Sequence, residues 1–143
     1  MRQLILATIL SGATLFAHAD DATELRQGYF KLIKYEFGDV MGAMLQKKRP
    51  MDQARFTEAA IRLDALAGAI DELFPEGSDG PDSRAKAQIW SDSAEFNRVL
   101  TTWQSKVSAL NSAVQSQDPS AIGAAFKATA ASCKECHNNF RSE

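Results

Sequence analysis

Apolar residues recur every three or four positions along most of this 143-residue chain, which is the spacing of amphipathic helices. Four such stripes can be followed along the sequence, and no alternating strand pattern competes with them. They cover about residues 22–48, from a cap at Asp52 to Phe74, from about Ser91 or Asp92 to Val114, and from Asp118 to Phe140. The pattern therefore predicts an all-α protein built from four long helices.

The predicted helices begin and end at residues with known capping roles. Pro50 ends the first stripe, and Asp52 can accept bonds from the free N–H groups of the next helix. Asp118-Pro119 gives the fourth helix a cap and a proline at its first position. The run 75–81 is rich in Pro and Gly, and residues 82–90 have room for a short helical turn. Short connections favour antiparallel neighbours, so we predict an up-down-up-down four-helix bundle.

The N-terminus has the features of an export signal. Arg2 precedes a largely apolar stretch from Leu4 to Phe16, and Ala17-His18-Ala19 provides a small-residue cleavage site. The stretch is too short for a membrane anchor, which needs about twenty apolar residues. We therefore interpret residues 1–19 as a signal peptide cleaved after Ala19, residues 20–143 as one helical domain, and the periplasm as its destination.

The charge balance argues against a nucleic-acid partner. The 16 Lys and Arg residues include Arg2, so the mature domain has 15 cations against 18 acids and a formal charge of −3. Lys47-Lys48-Arg49 is the single basic cluster, and it closes a predicted helix, where cations complement the helix dipole. No basic run with interleaved aromatic residues is present.

The most specific motif is Cys133-x-x-Cys136-His137, which ends six residues before the end of the chain. Two thiols one helical turn apart can add to the two vinyl groups of a haem, and the adjacent imidazole can bind the iron as an axial ligand. These are the only cysteines, and His137 is the only histidine after residue 19. One covalently bound haem c is therefore the predicted cofactor.

Three other interpretations of the motif are weaker. A redox dithiol is expected at the N-terminus of a helix in a βαβ setting, whereas this motif lies late in a helix. A structural zinc ion needs four ligands, more than the mature chain's cysteines and histidine provide. A chance pair on a core face would not explain why both cysteines of the chain fall in this motif.

The bundle topology limits the choice of a second axial ligand for the iron. The end of the fourth helix lies beside the first turns of the first helix, where residues 25–33 include neither Met nor His. Met41 and Met44 lie about 16 to 21 Å beyond Phe30 along that helix. Met51 lies at the opposite end of the bundle. We therefore expect five-coordinate iron.

Several further runs match one known family over essentially the whole mature chain. These are Arg26-Gln27, Phe37-Gly38, Phe74-Pro75-Glu76-Gly77-Ser78, Ile89-Trp90 and Cys133-Lys134-Glu135-Cys136-His137-Asn138-Asn139-Phe140-Arg141. In these runs the chain resembles the cytochromes c′, the high-spin class II c-type cytochromes. The resemblance implies a homodimer of four-helix bundles, with His137 on the proximal side of the haem.

The resemblance also implies a set of haem-pocket residues. Arg26 and Gln27 would contact the haem and Arg141 would lie near the proximal pocket. Arg84 would lie near a propionate, although Ala87 stands where the family usually has proline. The expected pocket is Arg26, Gln27, Phe30, Arg84, Trp90, Phe140 and Arg141. The alternative is a surface charge with a buried stem for Arg26, and a solvated cation at the helix end for Arg141.

The distal face of the haem is where this sequence departs from the family. The family commonly has an aliphatic residue there, and the alignment from Arg26-Gln27 places Phe30 at that position, with Tyr29 as the second choice. A ring over the iron would hinder ligands, because moving it costs packing. We expect slow or weak distal binding of carbon monoxide, with nitric oxide still able to bind. Alternatively, Phe30 is a core aromatic residue with no role in ligand selection.

Two functions remain open at this point. The preferred one is a periplasmic haem protein that binds or scavenges small diatomic gases at a hindered site. The alternative is a periplasmic electron carrier, whose redox partner the sequence does not identify. A peroxidase or reductase would need a distal acid–base residue, which Phe30 and Ile33 cannot supply, so we expect no enzymatic activity.

Overall fold

The computed structural model describes the backbone of residues 13–143 and the side chains of residues 21–143. Within this range the elements are α1 (Ala13–Lys34), a π-helical segment (Tyr35–Gly42), a further turn (Ala43–Leu45), α2 (Gln53–Ala67), a 3-10 turn (Asp71–Leu73), α3 (Gln88–Ser91), α4 (Ser93–Ser116) and α5 (Pro119–Phe140). The described residues form no strand beyond one isolated bridge between Ala85 and Arg141. The predicted all-α class is confirmed, with α1, α2, α4 and α5 as the four long helices.

Three long helices begin at the capping residues that the sequence indicates. The side chains of Asp52, Asp92 and Asp118 each accept a backbone N–H bond in the first turn of α2, α4 and α5. Pro119 occupies the first position of α5, where its missing N–H leaves no bond unmade. The predicted bounds of the last two helices are therefore close to those observed.

The first two helices differ from the prediction. The first begins at Ala13 instead of near Ala22, because no glycine or proline interrupts the residues between, and it ends at Leu45 instead of near Lys48. Its second half is π-helical, which apolar spacing does not reveal. The second helix ends at Ala67 instead of Phe74, and only a 3-10 turn follows. Residues 1–12 of the predicted signal peptide lie outside the described range.

The core lies between the long helices, and α4 contributes most to it. Val99, Val107, Leu110 and Val114 of α4 are each almost fully buried. They pack between α2 on one side and α5 on the other, while the π-helical segment packs on α2. None of the helices in the described part of the chain is both long and apolar enough to cross a bilayer.

The relative direction of α1 and α5 follows from two sets of contacts. The rings of Phe37 and Phe126 stack with centroids 4.3 Å apart, which joins the π-helical segment to α5. The loop over residues 78–86 joins the N-terminal part of α1 to the C-terminal end of α5. The two helices are thus antiparallel. Phe30 lies seven residues before Phe37, and Cys133 lies seven residues after Phe126, so both are about 10 Å from the stack on the same side.

A buried ion pair attaches the π-helical segment to α2. Glu36 exposes only 7% of its side chain, and its carboxylate accepts bonds from Arg55 Nη2 at 2.5 Å and Arg62 Nη1 at 3.4 Å. The bond to Glu36 raises the pKa of the Arg55 guanidinium, and this guanidinium also lies 5.9 Å from the centre of the Tyr35 ring. Charge complementarity therefore holds this part of the first helix in place.

Candidate haem site

The Cys-x-x-Cys-His motif lies in the last two turns of α5. The side chains of Cys133, Cys136 and His137 are all half-buried, whereas Lys134, between the two cysteines, is exposed. Residues three and four apart share one face of a helix, so the three side chains point to the same side of α5. The two cysteines do not form a disulfide with each other. This arrangement presents two sulfur atoms and one imidazole to a single partner.

The two thiols are protonated at neutral pH. Burial raises the pKa of the Cys133 thiol, and a hydrogen bond with the Trp103 side chain opposes this rise. Burial, together with the charges of Cys133 and Glu135, raises the pKa of Cys136 to about 11, while Arg141 acts in the opposite direction. Because redox dithiols depend on a lowered thiol pKa, this environment argues against the redox interpretation of the motif.

His137 is kept neutral and is free to bind a metal. Burial lowers the pKa of its imidazole, and the positive charges of Arg141 and Arg84 lower it further. Neither ring nitrogen has a hydrogen-bond partner among residues 21–143. A neutral imidazole with a free nitrogen is the form that binds iron, so the donor set of the motif fits a haem with one axial histidine. No group of three or more His, Cys, Asp or Glu side chains in the described range is arranged to hold a bare metal ion.

Four aromatic rings run from α1 to the end of α5, and we call them the aromatic file. Phe30 meets Phe74 at 6.4 Å between ring centres, Phe74 meets Phe96 at 5.1 Å, and Phe96 meets Phe140 at 5.2 Å, each pair edge to face. Phe140 is buried one turn after Cys136, and Phe30 is half-buried. The file therefore gives the motif an apolar side that includes both Phe30 and Phe140.

Arg26 is buried, which excludes the alternative of a surface charge for this residue. Its side chain is 5% exposed, and its two terminal nitrogens donate to oxygen atoms of Thr23, Leu73, Ser78 and Ser83. Burial lowers its pKa, and the negative charge of Asp79 opposes the shift. The guanidinium carbon lies 4.9 Å from the centre of the Phe74 ring.

Two other expected pocket residues also contact the segment that follows α2. Gln27 is exposed, and its Nε2 donates to the carbonyl oxygen of Asp82 at 3.1 Å. Trp90 is half-buried, and its Nε1 donates to the carbonyl oxygen of Phe74 at 3.1 Å. Both side chains therefore help to position the residues between Phe74 and Asp82.

Arg84 and Arg141 are brought together by a short pairing that we call the C-terminal bridge, between residues 84–86 and 140–142. Lys86 N–H donates to Phe140 O, and Ser142 N–H donates to Arg84 O, each at 2.9 Å. Arg84 Nε in turn donates to Ser142 O at 3.0 Å. Both exposed guanidiniums lie close enough to His137 to lower its pKa.

A cavity of about 270 Å³ lies beside the aromatic file. Phe74, Phe96 and Trp90 are among the residues that line it. Asp71 and Glu76 give its rim an acidic character. The motif residues do not line this cavity, which is therefore distinct from the face of α5 that carries the thiols.

Residues 21–141 match the family model described as Cytochrome C′. The chain belongs to the cytochrome c′ family. The cytochrome c′ of Rubrivivax gelatinosus is 35% identical over 127 residues, which cover 88% of this chain and 98% of that protein. The structure of cytochrome c prime from Shewanella frigidimarina matches with a TM-score of 0.83 at 43% identity, covering 87% of this chain and 97% of that chain.

Another matching cytochrome c prime, from Alcaligenes xylosoxidans, has been solved as variants in complex with nitric oxide and with carbon monoxide. Its structures match with a TM-score of 0.80 at 30% identity, covering 87% of this chain and 97% of that one. The resemblance inferred from the sequence is thus confirmed, and so is the four-helix bundle of this cytochrome c′.

Sequence reasoning missed several residues that shape this cytochrome c′ site. Apolar spacing indicates only that Phe96 faces the core, although its ring links Phe74 to Phe140. Ser78 and Ser83 carry no signal of their own as partners of a buried arginine. The C-terminal bridge joins residues more than fifty positions apart without a strand pattern. Only the Ser and Gly content of the loop marks this segment in the sequence.

Proposed function

We propose that this member of the cytochrome c′ family carries one haem c, attached through Cys133 and Cys136, with His137 as the axial ligand of a five-coordinate iron. We further propose that it binds small diatomic gases, nitric oxide above all. The observation that carries the proposal is the shared half-buried face of α5, where the thiols of Cys133 and Cys136 and the neutral imidazole of His137 lie on the same side of the helix. When bound, haem iron supplies the centre to which a gas molecule attaches.

The chain's own residues have separate tasks in this proposal. The two cysteines anchor the cofactor, and His137 holds the iron from one side. Burial lowers the pKa of the His137 imidazole, and the positive charges of Arg141 and Arg84 lower it further, so the ring stays neutral. We assign Phe30 to the opposite side, because it is half-buried and lies at the level of Cys133 on the antiparallel helix. A ring there restricts access to the metal by its bulk.

Gas binding by a relative supports the proposal that this chain binds gases of the same class. The Alcaligenes xylosoxidans protein has been solved with nitric oxide and with carbon monoxide. The described part of the present chain places Phe30 and Ile33, which are apolar, on the first helix at the level of the motif. Neither can exchange a proton with a ligand, and the proposed role is therefore binding without catalysis.

We also propose export to the periplasm with cleavage after Ala19, and assembly as a homodimer. Support for the dimer comes from one face of the first helix, where Leu25 and Leu32 of α1 and Tyr35 at the start of the π-helical segment are 60%, 53% and 49% exposed. Gly28 lies on the same face, and a Cβ there would meet no atom within 4 Å. Such a face can pack against its own copy across a two-fold axis.

Gas binding can be tested on the full chain expressed together with a haem-ligation pathway. After denaturation the mature polypeptide should retain the mass of one haem, and Cys133→Ser and Cys136→Ser variants should each lose covalent attachment at one vinyl group. The reduced protein should change its absorption when nitric oxide is added. A colourless product, haem released on denaturation, or no response to nitric oxide would contradict the proposal.

A further inference from the structure

We propose that Arg26 is a positioning residue for gas entry, because it ties residues 73–83 to α1 and thereby holds Phe74 against Phe30. The inference rests on the proposed gas-binding function. It adds a role for a residue that the resemblance would place only in contact with the haem.

The hydrogen bonds of Arg26 are directed almost entirely at the segment 73–83. Nη1 donates to Leu73 O and to Ser78 Oγ, both at 2.9 Å. Nη2 donates to Ser78 O and to Ser83 Oγ, both at 2.7 Å, and to Thr23 Oγ1 at 3.1 Å. Each terminal nitrogen thus has at least as many acceptors as it has N–H groups.

These hydrogen bonds stabilise the structure more than a typical contact at the surface does. Arg26 is 5% exposed, and no carboxylate within the described range lies within ion-pair distance of it. A buried charge is costly unless hydrogen bonds satisfy it, and bonds to a charged donor are stronger than neutral ones. The segment and the guanidinium therefore depend on each other for their positions.

Backbone hydrogen bonds contribute little to the position of the segment 73–83. It contains no helix after the 3-10 turn, and Gly77 adopts a backbone conformation with φ +77° that side-chain-bearing residues avoid. Its internal backbone bonds are two short-range turns, Ser78 N–H to Pro75 O and Ser83 N–H to Gly80 O. Arg26 makes four hydrogen bonds to the segment, whereas Thr23, Gln27 and Trp90 make one each. The side chain of Leu73 is also buried in the core. Arg26 is thus the main polar connection between the segment and the bundle.

The segment 73–83 contacts Phe30, the ring that we propose restricts gas entry, through its own residue Phe74. Leu73, whose carbonyl Arg26 binds, precedes Phe74, and the guanidinium lies over the Phe74 ring. Phe74 in turn meets Phe30 edge to face, 6.4 Å between centres. Arg26 and Phe30 are four residues apart on one face of α1. Phe74 is therefore held against both, and a movement of the Phe30 ring toward Phe74 would have to displace Phe74 as well.

The test compares carbon monoxide association rates of reduced, haem-loaded proteins by rapid mixing. Arg26→Gln should associate about tenfold faster than the unmodified protein, a factor equal to about 1.4 kcal/mol. Arg98→Gln removes an exposed arginine with surface ion pairs only and should leave the rate unchanged. In a Phe30→Ala background, Arg26→Gln should add nothing further, because both changes act through the same ring. A purely haem-contacting Arg26 would instead give equal effects in both backgrounds.

Hydrogen exchange provides a second readout that does not depend on gas binding. Backbone amides of residues 73–83 should exchange faster in Arg26→Gln than in Arg98→Gln. Ser83→Ala removes one acceptor of Arg26. It should raise the carbon monoxide association rate and the exchange rate of these amides by less than Arg26→Gln does. This variant replaces Arg26→Gln in the test if Arg26→Gln does not fold. Unchanged exchange, or an unchanged rate in a protein that binds carbon monoxide, would overturn the inference. Failure of the unmodified protein to bind the gas would refute the proposed function instead, and exchange would still decide the role of Arg26.

Discussion

At the scale of single residues, the site depends on side chains in environments unusual for their type. Cys133, Cys136 and His137 could be identified from spacing alone, because that spacing is specific. The burial of Arg26 and Glu36 could not be predicted from the sequence. Each of these residues contacts a common polar residue that lies far away along the chain. A buried charge is recognisable only when the fold brings its partners together.

Phe30 gives the first prediction at this scale. Replacing it by Leu, a smaller and more flexible side chain, should increase the carbon monoxide association rate, because less packing has to be displaced. Rapid-mixing kinetics of the reduced protein would measure the change, with Tyr29→Leu as the neighbouring control. An equal rate for Phe30→Leu and the unmodified protein would support the interpretation of Phe30 as a core residue only.

Glu36 gives a prediction about stability. Glu36→Ala leaves the guanidinium of Arg55 without its main partner, and we expect the free energy of unfolding to fall by about 3 kcal/mol. Arg62 is 57% exposed, so Arg62→Ala should cost less than about 1 kcal/mol. Urea unfolding followed by circular dichroism would measure both. Equal losses for the two variants would show that the burial of Glu36 is not decisive.

At the scale of elements, local signals predicted where helices with clear N-caps begin, and failed where tertiary contacts decide. The aspartates before α2, α4 and α5 mark those starts because a short acceptor side chain satisfies free N–H groups. The π-helical segment still buries Val40 and Met41, as an α-helix over these residues would, so apolar spacing does not reveal it. The early end of α2 at Gly68 was overlooked because apolar residues continue beyond it.

The C-terminal bridge can be tested through Ser142. Ser142→Pro removes the N–H group that donates to Arg84 O, whereas Ser142→Ala keeps it and loses only the hydroxyl contact. We expect faster hydrogen exchange at Lys86 N–H, which donates to Phe140 O, in the proline variant only. Equal protection of this amide in both variants would mean that the bridge does not hold the end of the chain.

At the scale of the whole molecule, the bundle and the family could be read from the sequence, because apolar spacing and a long motif extend over the entire domain. The position of the segment 73–86, which joins the first helix to the end of the last, could not be read. Its hydrogen bonds involve carbonyl and hydroxyl groups. Because these groups are common in every sequence, they do not indicate which residues will pair.

Assembly is the prediction that belongs to this scale. The exposed face with Leu25 and Leu32 should bury itself in a dimer, because burying apolar area is favourable. The haem-loaded protein should sediment as a dimer, and Leu32→Glu should shift it toward the monomer. Ile61→Glu, an equally exposed apolar position on α2, is the control for added charge. A monomeric unmodified protein would contradict the proposed dimer.

The most direct measurement is the optical absorption spectrum of the purified, reduced, haem-loaded protein. If Cys133, Cys136 and His137 are the only residues that bind the haem, the spectrum should have the band shape of high-spin, five-coordinate iron. Sharp low-spin bands would show that another residue fills the sixth position, and would contradict an open gas-binding site.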